Sequence, residues 1–338
     1  MLKYQDNEVK YYYNGDENIR PFISLIVTAY DRNTYLMDAI NCAVNQTLDK
    51  DKYEIIVIKN FYDQKIDEFI SKHKMKSIIS SGIEGYYPYL AQKYASGQII
   101  VFLDDDDLIS TEKLKIIYDI FQDNNIGYYH NNYNVLMNNT IVYDKLINPP
   151  KFKTMVIKNN NKLKMVYFLE KKLAYANNSC IAIRKNLLET KKEWLKNQVA
   201  NIDRFLFMAG LLSNLDLYID SRILTTYRMH DKQTSALQDG DINILINRKI
   251  NFINKSLPAF ENMYKMARGS EFENYMYTRI INLKLAYNFW SFSKKYKIEK
   301  NPYILYLRSG NYFEFPRLFI YKSPLFLRKK LISLIYSV

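Results

Sequence analysis

An α/β fold, a mostly parallel sheet covered by helices with a helical C-terminal extension, is what this sequence predicts, and three observations predict it. Apolar runs of strand length alternate with helical patterns through the first 130 or so residues. Those runs are near-continuously apolar rather than alternating, as strands buried on both faces must be. One of them, Ile99 to Leu103, ends in four consecutive aspartates, Asp104 to Asp107. Such a cluster belongs at the carboxyl mouth of a parallel sheet, where open α/β folds bind ligands.

Residues 1–20 are polar and read as a lead-in segment. Phe22 to Thr28 form a first strand, followed by a loop from Ala29 to Asn33 and a helix with Leu36, Ile40 and Val44 on one face. Tyr53 to Ile58 form a second strand, residues 64–72 a short helix, and Ser77 to Ser80 a third strand. A loop from Ser81 to Gly85, whose glycines suit a close backbone approach, leads into a helix carrying Leu90, Ala91, Tyr94 and Ala95. After the aspartate-ended strand come a helix from about Thr111 to Phe121 and a strand around Ile126 to Tyr129. Right-handed crossovers put Thr28, Lys59, Ser81 and Asp104 along one edge, the expected cleft. From 140 to 240 the pattern is less regular, with a lysine-rich loop or hairpin from Lys151 to Lys172 and a helix from about Asn201 to Leu212. Beyond residue 242 the chain reads as largely helical. The expected division is 1–20, 21–241 and 242–338, the middle part having halves at about 21–108 and 109–241.

At 338 residues, 48% of them hydrophobic, the chain can bury a large core. Its net charge of +13 suits anionic partners: nucleotide phosphates, an acidic membrane surface or nucleic acid. No nucleic-acid module is present, and carboxylates at a cleft repel phosphate unless a metal intervenes, so nucleic acid is not an expected partner. Two isolated cysteines, Cys42 and Cys180, make neither a disulfide scaffold nor a thiolate metal site. The N-terminus has no secretory h-region and no run reaches 18 uncharged apolar residues, so a cytoplasmic location is expected. Nothing in folding calls for four adjacent like charges. Holding Mg²⁺ or Mn²⁺ against a phosphate does.

Four pieces then come in order: Ser24-Leu25-Ile26-Val27-Thr28-Ala29-Tyr30; Asn45-Gln46-Thr47 with Tyr53 to Ile58; Ala95 to Asp107 with its x-Leu-x-Asp-x-Asp-Asp signature; and Tyr227-Arg228-Met229-His230 with Ser235 after it. On these the chain resembles the family 2 glycosyltransferases, inverting enzymes with the GT-A fold. The resemblance implies a nucleotide-sugar half (about 21–108), an acceptor half, and transfer of a sugar from a nucleotide-diphosphate sugar to an acceptor hydroxyl. It implies that Asp104 is the first carboxylate of the DxD signature, facing ribose or the cation's water shell, and that Asp105 points toward the donor sugar. Asp106 is implied as a ligand of Mn²⁺ or Mg²⁺, while Asp107 caps the next helix or braces the loop. His230 either completes the cation site or braces its own segment. Arg228 structures that segment or pairs with phosphate. Thr28 and Tyr30 are implied to line the base and ribose pocket.

An inverting transfer needs a base on the far side from the leaving group. The family takes it from a Glu-Asp pair opening a helix; here the match is Ile202-Asp203, so Asp203 is the expected base, without the glutamate. A second departure follows the second strand. The family's Asp-Asp-Gly-Ser is replaced by Lys59-Asn60-Phe61-Tyr62-Asp63. A charged lysine accepts no hydrogen bond. Lys59 then meets a base carbonyl or phosphate, Asn60 supplies the acceptor, or Asp63 swings in; Asn60 with backbone is the favoured reader. His130, ending a strand, is a further candidate for the acceptor side.

The tail, residues 317–338, carries five basic residues and no acidic one. If helical, Leu327, Leu331, Leu334 and Ile335 form an apolar stripe beside Arg328, Lys329 and Lys330. That pattern suits the inner face of the cell membrane, or equally a docked helix or a homodimer contact. Together with the tail, the resemblance, many of whose members glycosylate lipid-linked precursors at that face, implies a glycan or polyprenyl-linked glycan acceptor. The rival class is a nucleotide-sugar-binding scaffold without turnover.

Overall fold

The structure, a computed structural model, describes residues 10–12, 20–142, 151–230, 242–298, 301–309 and 315–336. The chain divides into two compact units, residues 1–198 with 202–233, and residues 199–201 with 234–338. Ser235 and the side chains of Lys329, Leu334 and Ile335 lie outside the described residues.

In the first unit the chain runs β1 (Lys10–Tyr12), β2 (Ile23–Ala29), α1 (Leu36–Val44), β3 (Tyr53–Lys59), α2 (Gln64–Lys72), β4 (Lys76–Ile79), α3 (Tyr86–Tyr94) and β5 (Ile99–Asp104). It continues through β6 (Leu108–Ile109), α4 (Lys113–Ile120), β7 (Ile126–Met137), β8 (Thr140–Val142), β9 (Met155–Ile157), α5 (Lys162–Lys171) and β10 (Ile181–Arg184). Last come α6 (Lys185–Glu189), α7 (Lys192–Lys196), α8 (Ile202–Leu211) and β11 (Asp216–Met229). One sheet has the order β1-β4-β3-β2-β5-β10-β7-β11-β6, with β8 on β7 and β9 on β11. Its stretch β4-β3-β2-β5 is parallel, and so is β7 with β11. The lead-in contributes β1, antiparallel to β4 at the sheet edge.

Burial explains the strand composition. Ile23, Leu25 and Val27 pack with Leu36 and Ile40 of α1, Ile66 and Ile70 of α2, and Leu114 and Ile117 of α4. Their neighbours Ile26, Ile56, Ile58 and Ile100 are equally buried, so this part of the sheet is covered on both faces. Gln46, of the Asn-Gln-Thr piece, is a tie: its amide donates to the carbonyls of Cys42 and Ser110 and accepts from the N–H of Leu114.

The segment expected as a loop or hairpin at 151–172 is instead β9 followed by α5. Lys162 explains the difference. Its ammonium is buried against the carbonyls of Gly210 (2.9 Å) and Ser213 (2.8 Å) at the C-terminal end of α8, where a cation is favoured. The glycines at 82–85 also serve something other than a ligand. A Cβ on Gly85 would stand 2.2 Å from the Leu195 carbonyl, so the close approach is to the chain itself.

The second unit holds α9 (Ile242–Ala267), α10 (Glu273–Trp290), α11 (Pro302–Ser309), α12 (Phe315–Tyr321) and α13 (Leu325–Tyr336). No helix among the described residues is long and apolar enough to cross a membrane. The tail is helical as expected, but its stripe divides. Ile332 is buried, Leu331 packs against the α9–α10 core, and Arg328 turns inward to the Ser323 and Asn288 carbonyls. Phe326, 81% exposed, faces solvent with Leu325, Leu327, Lys322 and Lys330. Five basic residues in sequence are therefore not five basic residues on one face.

Gly97 sits where β5 enters beside β2, and a Cβ there would lie 2.6 Å from the Ser24 nitrogen and 2.7 Å from the Ile23 carbonyl carbon. Two parallel strands would have to part. Gly97→Ala is expected to cost about 1–3 kcal/mol of stability, read as a lowered midpoint in urea unfolding. An unchanged midpoint would mean that the strands separate freely at that point.

Candidate active site

The aspartates stand at the carboxyl end of β5, beside the carboxyl end of β2: the N–H of Asp105 donates to the Thr28 carbonyl at 3.1 Å. Thr28 Oγ1 donates to Asp104 Oδ1 at 3.3 Å, and Asn178 Nδ2 reaches the same oxygen at 3.4 Å. Burial first, then the charges of Asp107, Asp106 and Asp105, raise the Asp104 carboxyl well above its usual range. Asp107 is buried and braced, the second of its two expected roles. It accepts from Ser179 Oγ (2.7 Å), Asn177 Nδ2 (2.8 Å) and the Arg228 N–H (3.0 Å). Burial and Asp106 still push it up to about 7.

Topology brings the distant partners in. β6 follows the aspartates directly and pairs with β11 at Thr225–Ile109 and Thr226–Leu108. Two residues on, the Tyr-Arg-x-His element therefore meets the cluster. Arg228 lies against it as a brace, with Nε on the Asp106 carbonyl (3.0 Å), Nη2 on Asp38 (3.1 Å) and its guanidinium over the Tyr35 ring. His230 Nε2 stands 3.2 Å from Asp106 Oδ2.

Between these groups lies Arg32, which sequence reasoning missed. Its Nε and Nη2 clamp Asp105 at 2.8 and 2.7 Å, Nη2 also reaches Asp106 Oδ2 at 2.5 Å, and Nη1 stands 3.4 Å from His230 Nε2. The hydrogen bond to Asp105 raises the guanidinium's proton affinity further, and in return Arg32 opposes the upward shift that burial gives Asp105. Arg32 is held from both sides. Asp31, at a left-handed φ of 56°, exchanges hydrogen bonds with Asn60, and Asn33 donates to Asp63.

Asp203 opens α8, partly buried, and accepts from the N–H groups of Arg204 and Asn177. Burial raises its carboxyl above the usual range, opposed by Arg204, and the charge of Glu84 adds to the rise. Asn177 thus touches both ends of the site, Asp203 through its backbone and Asp107 through its side chain. It does so at φ 71°, a conformation that L residues rarely adopt. No feature of the sequence marked residues 177–179; only their place in the fold does.

Three expectations need correction. Lys59 is fully buried, its ammonium committed to Asp67 (2.9 Å) and the Phe61 carbonyl (2.8 Å), because a buried cation must be paired. Asp63 does not swing toward a pocket; it caps α2 by accepting from the Ile66 N–H. His130 is buried and pushed down to about 4, hence neutral, with Nε2 on the Ala176 carbonyl. Tyr30 stands exposed, edge-on to Tyr87, and Asn60 keeps its place beside the loop it holds.

A divalent cation fits the chemistry of this donor set. Mg²⁺ and Mn²⁺ bind through one or two protein ligands plus substrate phosphates rather than complete protein cages. Asp106 Oδ2 and His230 Nε2, 3.2 Å apart, are spaced as two ligands of one ion. Among the described residues no three acidic, histidine or cysteine side chains converge as a finished site.

Residues 24–191 match the family described as Glycosyl transferase family 2. The Escherichia coli enzyme UDP-Glc:alpha-D-GlcNAc-diphosphoundecaprenol beta-1,3-glucosyltransferase WfgD is 30% identical over 135 residues, 38% of this chain and 52% of its own. The poly(ribitol-phosphate) beta-glucosyltransferase of Bacillus spizizenii is 28% identical over 110 residues, 30% of this chain and 17% of its own. The chain thus spans about half of one relative and under a fifth of the other. Among solved structures, Staphylococcus aureus TarS 1-349 in complex with UDP-GlcNAc is similar at TM-score 0.50 and 17% identity, over 79% of this chain and 81% of that one. The mannosyltransferase PcManGT from Pyrobaculum calidifontis, in complex with GDP-Man and Mn²⁺, is similar at TM-score 0.52 and 12% identity, over 97% and 90%. At these identities the likeness shows the fold, and the fold is GT-A.

Ser179 is the hinge of the cluster, donating to Asp107 and accepting from the Asp104 N–H at 3.0 Å. Ser179→Ala is expected to cost about 1–3 kcal/mol, and distinctly less in an Asp107→Asn background. Denaturant unfolding of the four proteins reads the coupling. Equal costs in both backgrounds would show that Ser179 does not act through Asp107.

Proposed function

Residues 24–191 are a family 2 glycosyltransferase domain, and we propose that the protein is an inverting glycosyltransferase moving a sugar from a nucleotide-diphosphate sugar to an acceptor hydroxyl in one displacement. The observation that carries this reading is the joining of two opposed chemistries by one loop. Asn177 holds a raised carboxylate, Asp203, through its backbone, and through its side chain holds the aspartate cluster. In the reaction Asp203 accepts the proton of the acceptor hydroxyl as that oxygen bonds to the anomeric carbon. The bond from that carbon to the diphosphate breaks, and the nucleoside diphosphate leaves with the bonding pair.

A divalent cation held by Asp106 and His230 would offset the charge that builds on the leaving diphosphate. Asp104 and Asp105 lie on the donor side of that pair, and Thr28, Tyr30 and Asn60 line the nucleoside end. With Lys59 turned inward, the base is read by Asn60 and backbone. The relatives' names support a glycan or polyprenyl-linked glycan as acceptor. The exposed Leu325, Phe326 and Leu327 with Lys322 and Lys330 support peripheral contact with an anionic membrane face.

Nucleoside-diphosphate release from UDP-, GDP- and dTDP-sugars, with Mn²⁺ or with EDTA, tests the reading. Metal-dependent release from one donor is expected, abolished in Asp106→Asn. Donor binding without release, acceptors supplied, would point to the scaffold reading instead. Asp203→Asn is expected to lower kcat roughly 10²–10⁴-fold with donor affinity unchanged. Because the base works only when deprotonated and burial raises its proton affinity, kcat/KM should fall as pH drops through a value above about 4, the ordinary carboxylate range. An acid limb that Asp203→Asn leaves in place would assign the base elsewhere.

A further inference from the structure

Arg32 occupies the ground on which the cation must sit. Its guanidinium bonds Asp105 through two nitrogens and Asp106 Oδ2 through one, and it stands 3.4 Å from His230 Nε2. Asp106 Oδ2 and His230 Nε2 are the two atoms spaced to share an ion. A guanidinium and a divalent cation cannot use one carboxylate oxygen and the same approach to it together. We propose that Arg32 is an internal counterion that competes with the divalent cation for Asp106, so that cation and nucleotide-sugar bind cooperatively.

Without compensation, four adjacent carboxylates with low solvent access would repel or protonate, so a resting cation is needed and Arg32 supplies it. Its bond is charge-assisted and forked, hence strong enough to matter in competition. Apparent affinity for the metal ion is then reduced by the fraction of molecules in which Asp106 is free of Arg32. A donor diphosphate brings anionic oxygens to the same edge and offers the displaced guanidinium another partner. Linkage makes the effect reciprocal: donor tightens cation, and cation tightens donor.

Arg32 can leave without dismantling the loop. Its neighbours on either side are held independently, Asp31 by Asn60 and Asn33 by Asp63. Its side chain is about a quarter exposed, at 26%, which leaves room to swing. By contrast Arg228, at 10%, bonds a main-chain carbonyl and packs on Tyr35, and stays.

This inference rests on the metal-assisted reading above, and the test separates the two. Mn²⁺ binding to the full chain is measured by titration calorimetry and by loss of the free-ion electron paramagnetic resonance signal, with and without UDP or GDP. Wild type is expected to bind Mn²⁺ weakly alone and much more tightly with the matching nucleotide. Arg32→Gln is expected to bind Mn²⁺ alone at least about tenfold more tightly than wild type, with the nucleotide effect reduced by that same factor to what direct phosphate ligation supplies. If Arg32→Gln does not fold without metal, refolding on Mn²⁺ addition serves as the readout. Arg32→Lys, whose single ammonium cannot bridge both carboxylates, should fall between the two. Equal or weaker Mn²⁺ binding by Arg32→Gln overturns the counterion role while leaving the metal site standing. No Mn²⁺ binding by any of the proteins, nucleotide present, overturns the metal-assisted reading and this inference with it.

Discussion

Carboxylates that stand side by side out of water must be compensated, and the architecture around Asp104 to Asp107 follows from that one requirement. Each is treated differently. Asp107 takes three donors and becomes part of the framework. Asp104 shares weak contacts with Thr28 and Asn178 and is driven toward its neutral form. Asp105 and Asp106 divide one guanidinium. A graded set results, structural at one end and exchangeable at the other. The exchangeable end is the one whose counterion, Arg32, is itself about a quarter exposed.

The long reach of β11 meets the same requirement. Parallel to β7 and antiparallel to β6, it delivers Thr225 to the buried Lys113 and Arg228 to Asp107 across more than a hundred residues. Lys113, pushed down to about 8 by burial, donates to the Thr225 hydroxyl and the Ser179 carbonyl, so a second cation steadies the loop beneath the cluster. Two of the eight non-Gly residues at positive φ among the described residues, Asp31 and Asn177, lie in this neighbourhood. Both make hydrogen bonds that a relaxed backbone would not aim, which is the usual reason for such conformations to persist.

What could be read from the chain beforehand was whatever rests on local pattern. The parallel strands, the helices over them and the aspartates at a strand end follow from periodicity and burial, and the observed β2, β3 and β5 agree with it closely. The Asp106–His230 pairing was legible only through the resemblance, since 124 positions separate the two residues. Lys59 misled because a lysine at a strand end reads as solvent-facing, whereas Asp67, one helical turn into α2, gives it a buried partner. Arg32 and Asn177 to Ser179 were invisible for a different reason. Each sits in an irregular loop whose residues are ordinary turn formers, and their roles come from where the loop lands. The tail errs in the same way: composition counts charges, while helix rotation decides that Arg328 faces in and Phe326 faces out.

The lysine at position 59 has a structural consequence for the loop that follows it. An aspartate at position 59 could not pair with Asp67, and the β3–α2 loop would lose the ammonium that now ties the Phe61 carbonyl to α2. That loop is what Asn60 and Asp63 use to hold Asp31 and Asn33, the residues flanking Arg32. The β3–α2 loop and the aspartate cluster are therefore joined through five consecutive residues, 59 to 63, and one arginine. A ligand that separates Asn60 from Asp31 would loosen the backbone from which Arg32 reaches the aspartates. The β3–α2 loop is in this way mechanically connected, through Asp31 and Arg32, to Asp105 and Asp106.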